Sequence, residues 1–141
     1  MGANSRMTVA IHILSFMVSA AKKRPDPVTS ERIAFSVATN PVVIRRMLGL
    51  LQKRGLVESH RGAHAGWTLA RKPAAITLLD VYRAVEEEPL FGPHASPPNP
   101  TCHIARGIQP ALKKIYGELE NHLHRQLAKT TIDQVFAETV G

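Results

Sequence analysis

The stretch that decides the fold runs from residue 29 to residue 56, "TSERIAFSVATNPVVIRRMLGLLQKRGL". A short helix is predicted to start after Thr29 or Ser30. Glu31 in its first turn suits the helix dipole, and Ile33, Ala34 and Val37 give it an inward stripe. It ends near "ATN". Asn40-Pro41 then reads as an N-cap followed by proline at the first helical position. The next helix runs from Pro41 to about Arg54, with Ile44, Met47, Leu48 and Leu51 at helical spacing and Gly55 as its stop. Two helices joined by so short a turn have the spacing of a helix-turn-helix. In that motif the second helix lies in the DNA major groove, with its N-terminal residues at base edges. The outward residues here are Asn40, Val42, Arg45, Arg46, Gly49 and Lys53. An arginine can pair in bidentate fashion with guanine O6 and N7. The same spacing also occurs in plain helical hairpins of all-α cores.

The next residues separate these readings. "LVESHR" (56–61) reads as a strand, "WTLA" (67–70) as its partner, and "GAHAG" (62–66) as the loop between them. Two short strands around a glycine-containing loop make a hairpin. A helix-turn-helix followed by such a hairpin is a winged helix. Arg61 at the base of the wing suits a phosphate or a minor groove. His64 at its tip fits DNA contact and a solvated side chain equally. Gly62 and Gly66 supply the backbone angles that a tight hairpin requires. Trp67 is expected to pack back onto the core.

Upstream, Ser5 reads as the N-cap of a first helix that reaches about Lys22. "MTVAIHILSFMVSAA" (7–21) is apolar on nearly every face, so this helix should be buried on most sides; His12 on it is expected at a core or interface position. "PDPVT" (25–29) breaks it. Downstream, Thr77 caps a helix from Leu78 to about Glu88, with Asp80 as its capping-box partner. Five prolines between Pro89 and Pro100 mark a loop. A long helix then begins near Cys102 or His103 and extends to Lys129, with Pro110 as a kink or the true start. Ile108, Leu112, Ile115, Leu119, Leu123 and Leu127 recur along it at steps of three or four. A stripe of that length needs a partner, and a second subunit is the natural one. Thr131 caps a last short helix, "IDQVFAE". The architecture expected is mainly α with a small β-hairpin: a winged helix-turn-helix over 1–88, a proline-rich loop over 89–101, and a dimerisation helix with a C-terminal tail over 102–141.

Charge supports a polyanion partner. The 141-residue chain carries +7, with 12 Lys/Arg against 3 Asp/Glu in residues 1–72 and 6 against 8 in residues 73–141. A basic half of this kind fits a nucleic acid, and equally a soluble basic surface. The apolar run 7–21 is too short to span a bilayer and makes a poor signal peptide, so a cytoplasmic protein is expected. One cysteine excludes an internal disulfide framework. The seven histidines show no metal spacing, and no nucleophile elbow or phosphate loop appears. Neither an enzyme nor a metal site is expected.

These segments, in this order, resemble the IscR/NsrR/CymR-type winged-helix transcriptional regulators, the Rrf-two family. Three pieces carry the resemblance: "TSERIAFSVATNPVVIRRMLGLLQKRGLVES", "RGAHAGWTLARKPAAITLLDVYRAVE" and "NPTCHIARGIQPAL". It covers nearly the whole chain and rests on order and spacing. It implies a homodimer on a palindromic operator, usually as a repressor, with DNA contacts near Thr29, Asn40, Pro41, Val42, Arg45, Arg46 and Arg61. The wing departs from the family's Pro-Gly-Gly-Gly-Tyr, having Ala63, His64, Ala65, Gly66 and Trp67, which makes it stiffer and bulkier. Cluster-binding members carry three cysteines in the region of Pro89–Cys102. An iron–sulfur cluster takes four ligands, mostly thiolates, and this chain offers Cys102 alone, with His94 and His103 nearby. No cluster and no other cofactor is expected.

Cys102 falls at a predicted helix N-terminus, where the dipole and a protonated His103 would favour a thiolate. Cys102 and His103 are therefore redox-sensing candidates, the alternative being an incidental buried thiol. Three functions remain open: a dimeric DNA-binding repressor, a winged-helix module that binds an acidic protein, and a redox- or metal-binding protein that has lost DNA binding.

Overall fold

The computed structural model of the chain describes residues 5–141. Its first helix, α1 (Ser5–Lys23), is the axis of the core. Ala10, Ile13, Leu14, Met17 and Val18 on it are all buried, because apolar residues surround it and other helices pack on several sides. Ser5, expected as the cap, is itself helical. His12, expected in the core or an interface, is exposed; its Nε2 lies 2.9 Å from Ser36 Oγ and stitches α1 to the following helix.

That helix, α2 (Ser30–Val37), and α3 (Pro41–Lys53) form the helix-turn-helix. Thr29 caps α2 by accepting from the Arg32 N–H at 3.2 Å. The turn passes through Ala38 at φ 62°, the left-handed region, and the Thr39 N–H returns to Ala34 O. Asn40 Oδ1 accepts from the Val42 N–H at 2.8 Å, with Pro41 in the first turn. At the far end Gly55 takes φ 71°, while its N–H reaches Gln52 O and the Leu56 N–H reaches Leu51 O. This double closure satisfies the last carbonyls of α3. The buried faces meet through Ile33 and Ala34 on one helix and Ile44, Met47, Leu48 and Leu51 on the other. Each large side chain there contributes about 1.5–3 kcal/mol by leaving water.

The hairpin pairs β1 (Val57–His60) with β2 (Gly66–Leu69), Val57 opposite Leu69 and His60 opposite Gly66. Arg61, placed by sequence at the end of the first strand, opens the loop instead. Val28 forms an isolated antiparallel rung with Trp67 on the other edge of β2. Its N–H donates to Trp67 O at 3.0 Å, and the Trp67 N–H donates to Val28 O at 2.8 Å. This rung explains Gly66. Its φ is 146°, and a Cβ there would stand 2.7 Å from Val28 O. Close approach of two backbones, beyond the hairpin's own turn, is what demands glycine. Trp67 packs against the core as expected.

A 3-10 turn (Pro73–Ala75) leads to α4 (Leu78–Val85), α5 (His103–Leu127) and α6 (Ile132–Val140). α4 stops three residues before the expected Glu88. Three consecutive glutamates oppose the dipole at a helix C-terminus, and Pro89 disfavours helical geometry at the residue before it. α5 runs unbroken through Pro110. α6, placed by sequence in the same C-terminal unit as α5, packs on α1, and Ile132 joins the core. Its start is clamped by backbone bonds: Ile132 N–H to Ile76 O and Leu78 N–H to Thr130 O, both 2.9 Å. Matching capping boxes, Thr77 with Asp80 and Thr131 with Gln134, sit on either side of this clamp. Among the described residues no helix is long and apolar enough to cross a membrane.

Gly66→Ala is expected to lower the unfolding free energy by about 2 kcal/mol or more. Gly62→Ala, with φ 92° but open space around it, is expected to lose about 1 kcal/mol. Urea unfolding reads both; equal small losses would remove the Val28 rung as the constraint on residue 66.

Candidate nucleic-acid interface

The N-terminal half of α3 presents one outward face. Val42 is 52% exposed, and Arg45 and Arg46 follow it in the next turn, also exposed. Their spacing from Val42, three and four residues, puts all three on one side of the helix. The same geometry buries Ile44, Met47 and Leu48 behind them. Pro41 is half-buried at the start of this face.

The face is not uniform. Arg45 Nη1 lies 3.2 Å from Ser30 Oγ and 3.3 Å from Glu31 Oε1, although the side chain keeps 48% of its exposure. Such an exposed pair is worth little on its own, so it orients Arg45 without consuming it. Arg46 makes no hydrogen bond or ion pair among the described residues. It is the free guanidinium of the face. Thr29 and Asn40, read as contact residues, spend a side-chain oxygen on helix caps; the Asn40 amide donors stay available. Lys53 lies on the same side of α3 but about 18 Å along the axis from Pro41. The structure therefore does not bring it to the N-terminal cluster; its neighbour Gln52 donates to Ser59 of the hairpin.

Arg61 and His64 sit on the exposed wing loop, and Arg61 has no side-chain partner among the described residues. The hairpin is stiffened by His60 Nε2, 2.7 Å from Thr68 Oγ1. Arg71, by contrast, is a structural cation: it donates to Asp80 at 3.4 Å and to Arg54 O at 3.3 Å. Sequence reading missed the cations at the end of α1 and on α2, Lys23, Arg24 and Arg32, which the fold brings beside the wing. Their distance in sequence from residues 61–66 hid them. Cys102 and His103 lie elsewhere, at the start of α5. Cys102 is exposed and occupies the N-cap position without a side-chain capping bond.

A polar junction joins this unit to α5. Tyr82 on α4 donates to Glu120 at 2.7 Å. The second Glu120 oxygen accepts from the Leu90 N–H at 3.4 Å, and His124 Nε2 lies 3.2 Å from the first. Burial, together with the hydrogen bond and negative charge of Glu120, pushes the Tyr82 phenol up to about 12. Burial acts to raise Glu120, but the bonds from Tyr82, Leu90 and His124 outweigh it and hold the carboxyl below its usual range. Phe91 stacks on Tyr116 at 5.1 Å, so the start of the proline-rich segment is anchored to α5 as well.

A helix-turn-helix with an outward cationic face, flanked by a cationic hairpin, is the winged-helix class of DNA-binding protein. Residues 3–138 match the sequence profile of the Rrf2 family, described as an iron-dependent transcriptional regulator. The chain belongs to this family of transcriptional regulators. It is 44% identical over 133 residues to YwnA of Bacillus subtilis, assigned as an HTH-type transcriptional regulator, spanning 94% of this chain and 95% of that one. It is 28% identical over 129 residues to the HTH-type transcriptional regulator CymR of Bacillus subtilis, spanning 91% and 86%. The crystal structure of a protein assigned as DNA-binding superposes with a TM-score of 0.72 at 38% identity, covering 92% of this chain and 97% of that one.

The family description names iron. One thiolate per chain falls short of the thiolate-rich set an iron–sulfur cluster takes. Among the described residues no three His, Cys, Asp or Glu side chains gather in metal-binding geometry.

The junction has a signature in alkali. A phenol raised from 10 to about 12 in the fold contributes stability that is complete below pH 10 and is lost as pH rises through 12. Tyr82→Phe is expected to remove that loss. Denaturant midpoints across this range, with tyrosinate absorbance, check it; identical curves for both proteins would show that Tyr82 titrates as in water.

Proposed function

We propose that the protein is a cytoplasmic, homodimeric, sequence-specific DNA-binding regulator that acts as a repressor on a palindromic operator. It is not an enzyme and carries no iron–sulfur cluster. The observation that carries this reading is the outward Val42–Arg45–Arg46 face of α3 beside the Arg61 wing. Arg46 is free to pair with a guanine edge, and Val42 offers an apolar surface that suits a thymine methyl. Arg61 suits a phosphate or the minor groove. Pro41 and the Asn40 cap set the angle at which α3 meets the groove, and Thr29 does the same for α2. Lys53 and His64 are peripheral backbone contacts.

Support for the dimer comes from α5. None of its 25 residues is buried, and Ile115 and Leu119 are 50% and 46% exposed on its apolar stripe. A helix about 37 Å long with such a face needs a partner surface, and pairing with its own copy doubles the recognition helices. Two α3 helices about one DNA turn apart then read two half-sites. The exposed Cys102 at the head of α5 is the proposed input: oxidation there, with His103 beside it, alters the dimer helix and through the Tyr82–Glu120 junction the spacing of the recognition helices.

Selection of bound duplexes from a random pool is expected to yield an inverted repeat. On it, Arg46→Ala should cost about 1–3 kcal/mol and relax preference at one base pair per half-site. Arg61→Ala should weaken binding with the dimer intact by sedimentation. Leu119→Glu should instead give monomers with weak operator binding. Wild-type affinity in both arginine variants would refute the assignment of helix and wing, and salt-insensitive binding would favour an acidic protein partner.

Cys102→Ser is expected to bind the operator normally and to lose any change on treatment with peroxide. A response equal to that of the unsubstituted protein would place the sensor elsewhere.

A further inference from the structure

Three separate segments bring basic side chains to one place. The C-terminal end of α1 supplies Lys23 and Arg24, α2 supplies Arg32, and the wing supplies His64; together they line a cleft of about 290 Å³. Ala63 and Ala65 form the wing side of the cleft and keep it open, and Asp26 is the one acid in its lining. Lys23, Arg24 and His64 make no side-chain hydrogen bond or ion pair among the described residues. Arg32 stands over the Phe16 ring, 6.0 Å from its centroid, and has no carboxylate partner among the described residues. This contrasts with Arg45 and Arg71, each of which has one.

Three like charges gathered around a single acid still repel one another, by about 1 kcal/mol per close pair in water. A polyanion relieves that repulsion and releases its own counterions. The shape suits a strand rather than a small enclosed anion: Lys23, Arg24, Arg32 and His64 are all exposed. The cleft's wing residues, Ala63, His64 and Ala65, belong to the same exposed loop as Arg61.

We propose that this cleft is a phosphate grip that holds the DNA backbone flanking the groove met by the wing, extending the footprint from α3 onto the end of α1. The inference rests on the DNA-binding reading above. The grip carries affinity and no base preference, because it touches phosphate alone.

The test uses the full chain, the selected operator and salt between about 50 and 200 mM. Lys23→Ala, Arg24→Ala and Arg32→Ala are each expected to weaken binding by the same factor on every sequence. Each should lower the slope of log affinity against log salt by about 1. Base preference stays as in wild type. A duplex trimmed to end at the wing contact should erase the difference between variants and wild type. These side chains are exposed, so thermal midpoints should not move. Wild-type affinity and slope in the triple variant, with Arg61→Ala still impaired, would overturn the grip and spare the DNA-binding reading. So would loss of inorganic phosphate binding by the triple variant with its operator slope unchanged, which would make the cleft a free-anion pocket. A wild-type chain that selects no DNA would bring down both.

Discussion

Burial around α1 is the constraint on which the molecule depends. A helix apolar on nearly every side cannot lie on a surface, so other elements must enclose it. α2, α3 and α4 do so from the winged-helix part of the chain, and α6 does so from its end. The recognition face of α3 is outward for this reason. Ile44, Met47, Leu48 and Leu51 turn toward the core, and a helix with one buried stripe shows its opposite side to solvent. Replacing any of these large residues by alanine would act on stability, at about 2–5 kcal/mol each.

Two backbone clamps convert that packing into a fixed site. The Val28–Trp67 pair holds the wing against the chain entering α2, and the Ile76–Ile132 and Leu78–Thr130 bonds hold α6 at the head of α4. Wing and helix-turn-helix are therefore set relative to each other by main-chain hydrogen bonds, which no surface substitution removes. Side chains in this arrangement divide into two kinds. Thr29, Asn40 and Arg71 are tied to the fold by caps or ion pairs. Among the described residues Arg46, Arg61, Lys23 and Arg24 have no such ties, and these are groups free to meet an external anion.

α5 is the exception to the logic of enclosure. It leaves the core, is attached to it at Tyr82–Glu120–His124, and returns through Thr131 to α6. It pairs that polar attachment with an apolar stripe in water, where Ile115 and Leu119 are about half exposed. The Tyr82–Glu120 hydrogen bond contributes to both shifts: burial first and then this bond raise the phenol, and the same bond, with those from Leu90 and His124, lowers the carboxyl.

The sequence by itself determined each local element. Periodicity and caps located α2, α3, α4 and α6, because Thr29, Asn40-Pro41, Gly55, Thr77 and Thr131 act on neighbours within four residues. The hairpin, and the outward placing of Val42, Arg45 and Arg46, followed from the same short-range rules. Where the sequence reading missed, a distant or opposing force had entered: α4 ended early against its own glutamates and Pro89, and His12 turned outward to Ser36. Only the tertiary structure decided that Val28 forces glycine at 66, that α6 completes the core, that Arg45 is shared with Glu31 while Arg46 is free, and that Lys23, Arg24 and Arg32 gather at the wing. Each of these joins residues that are far apart in the chain, or side chains on different elements. Their meeting is set by how apolar faces pack, which no local spacing records.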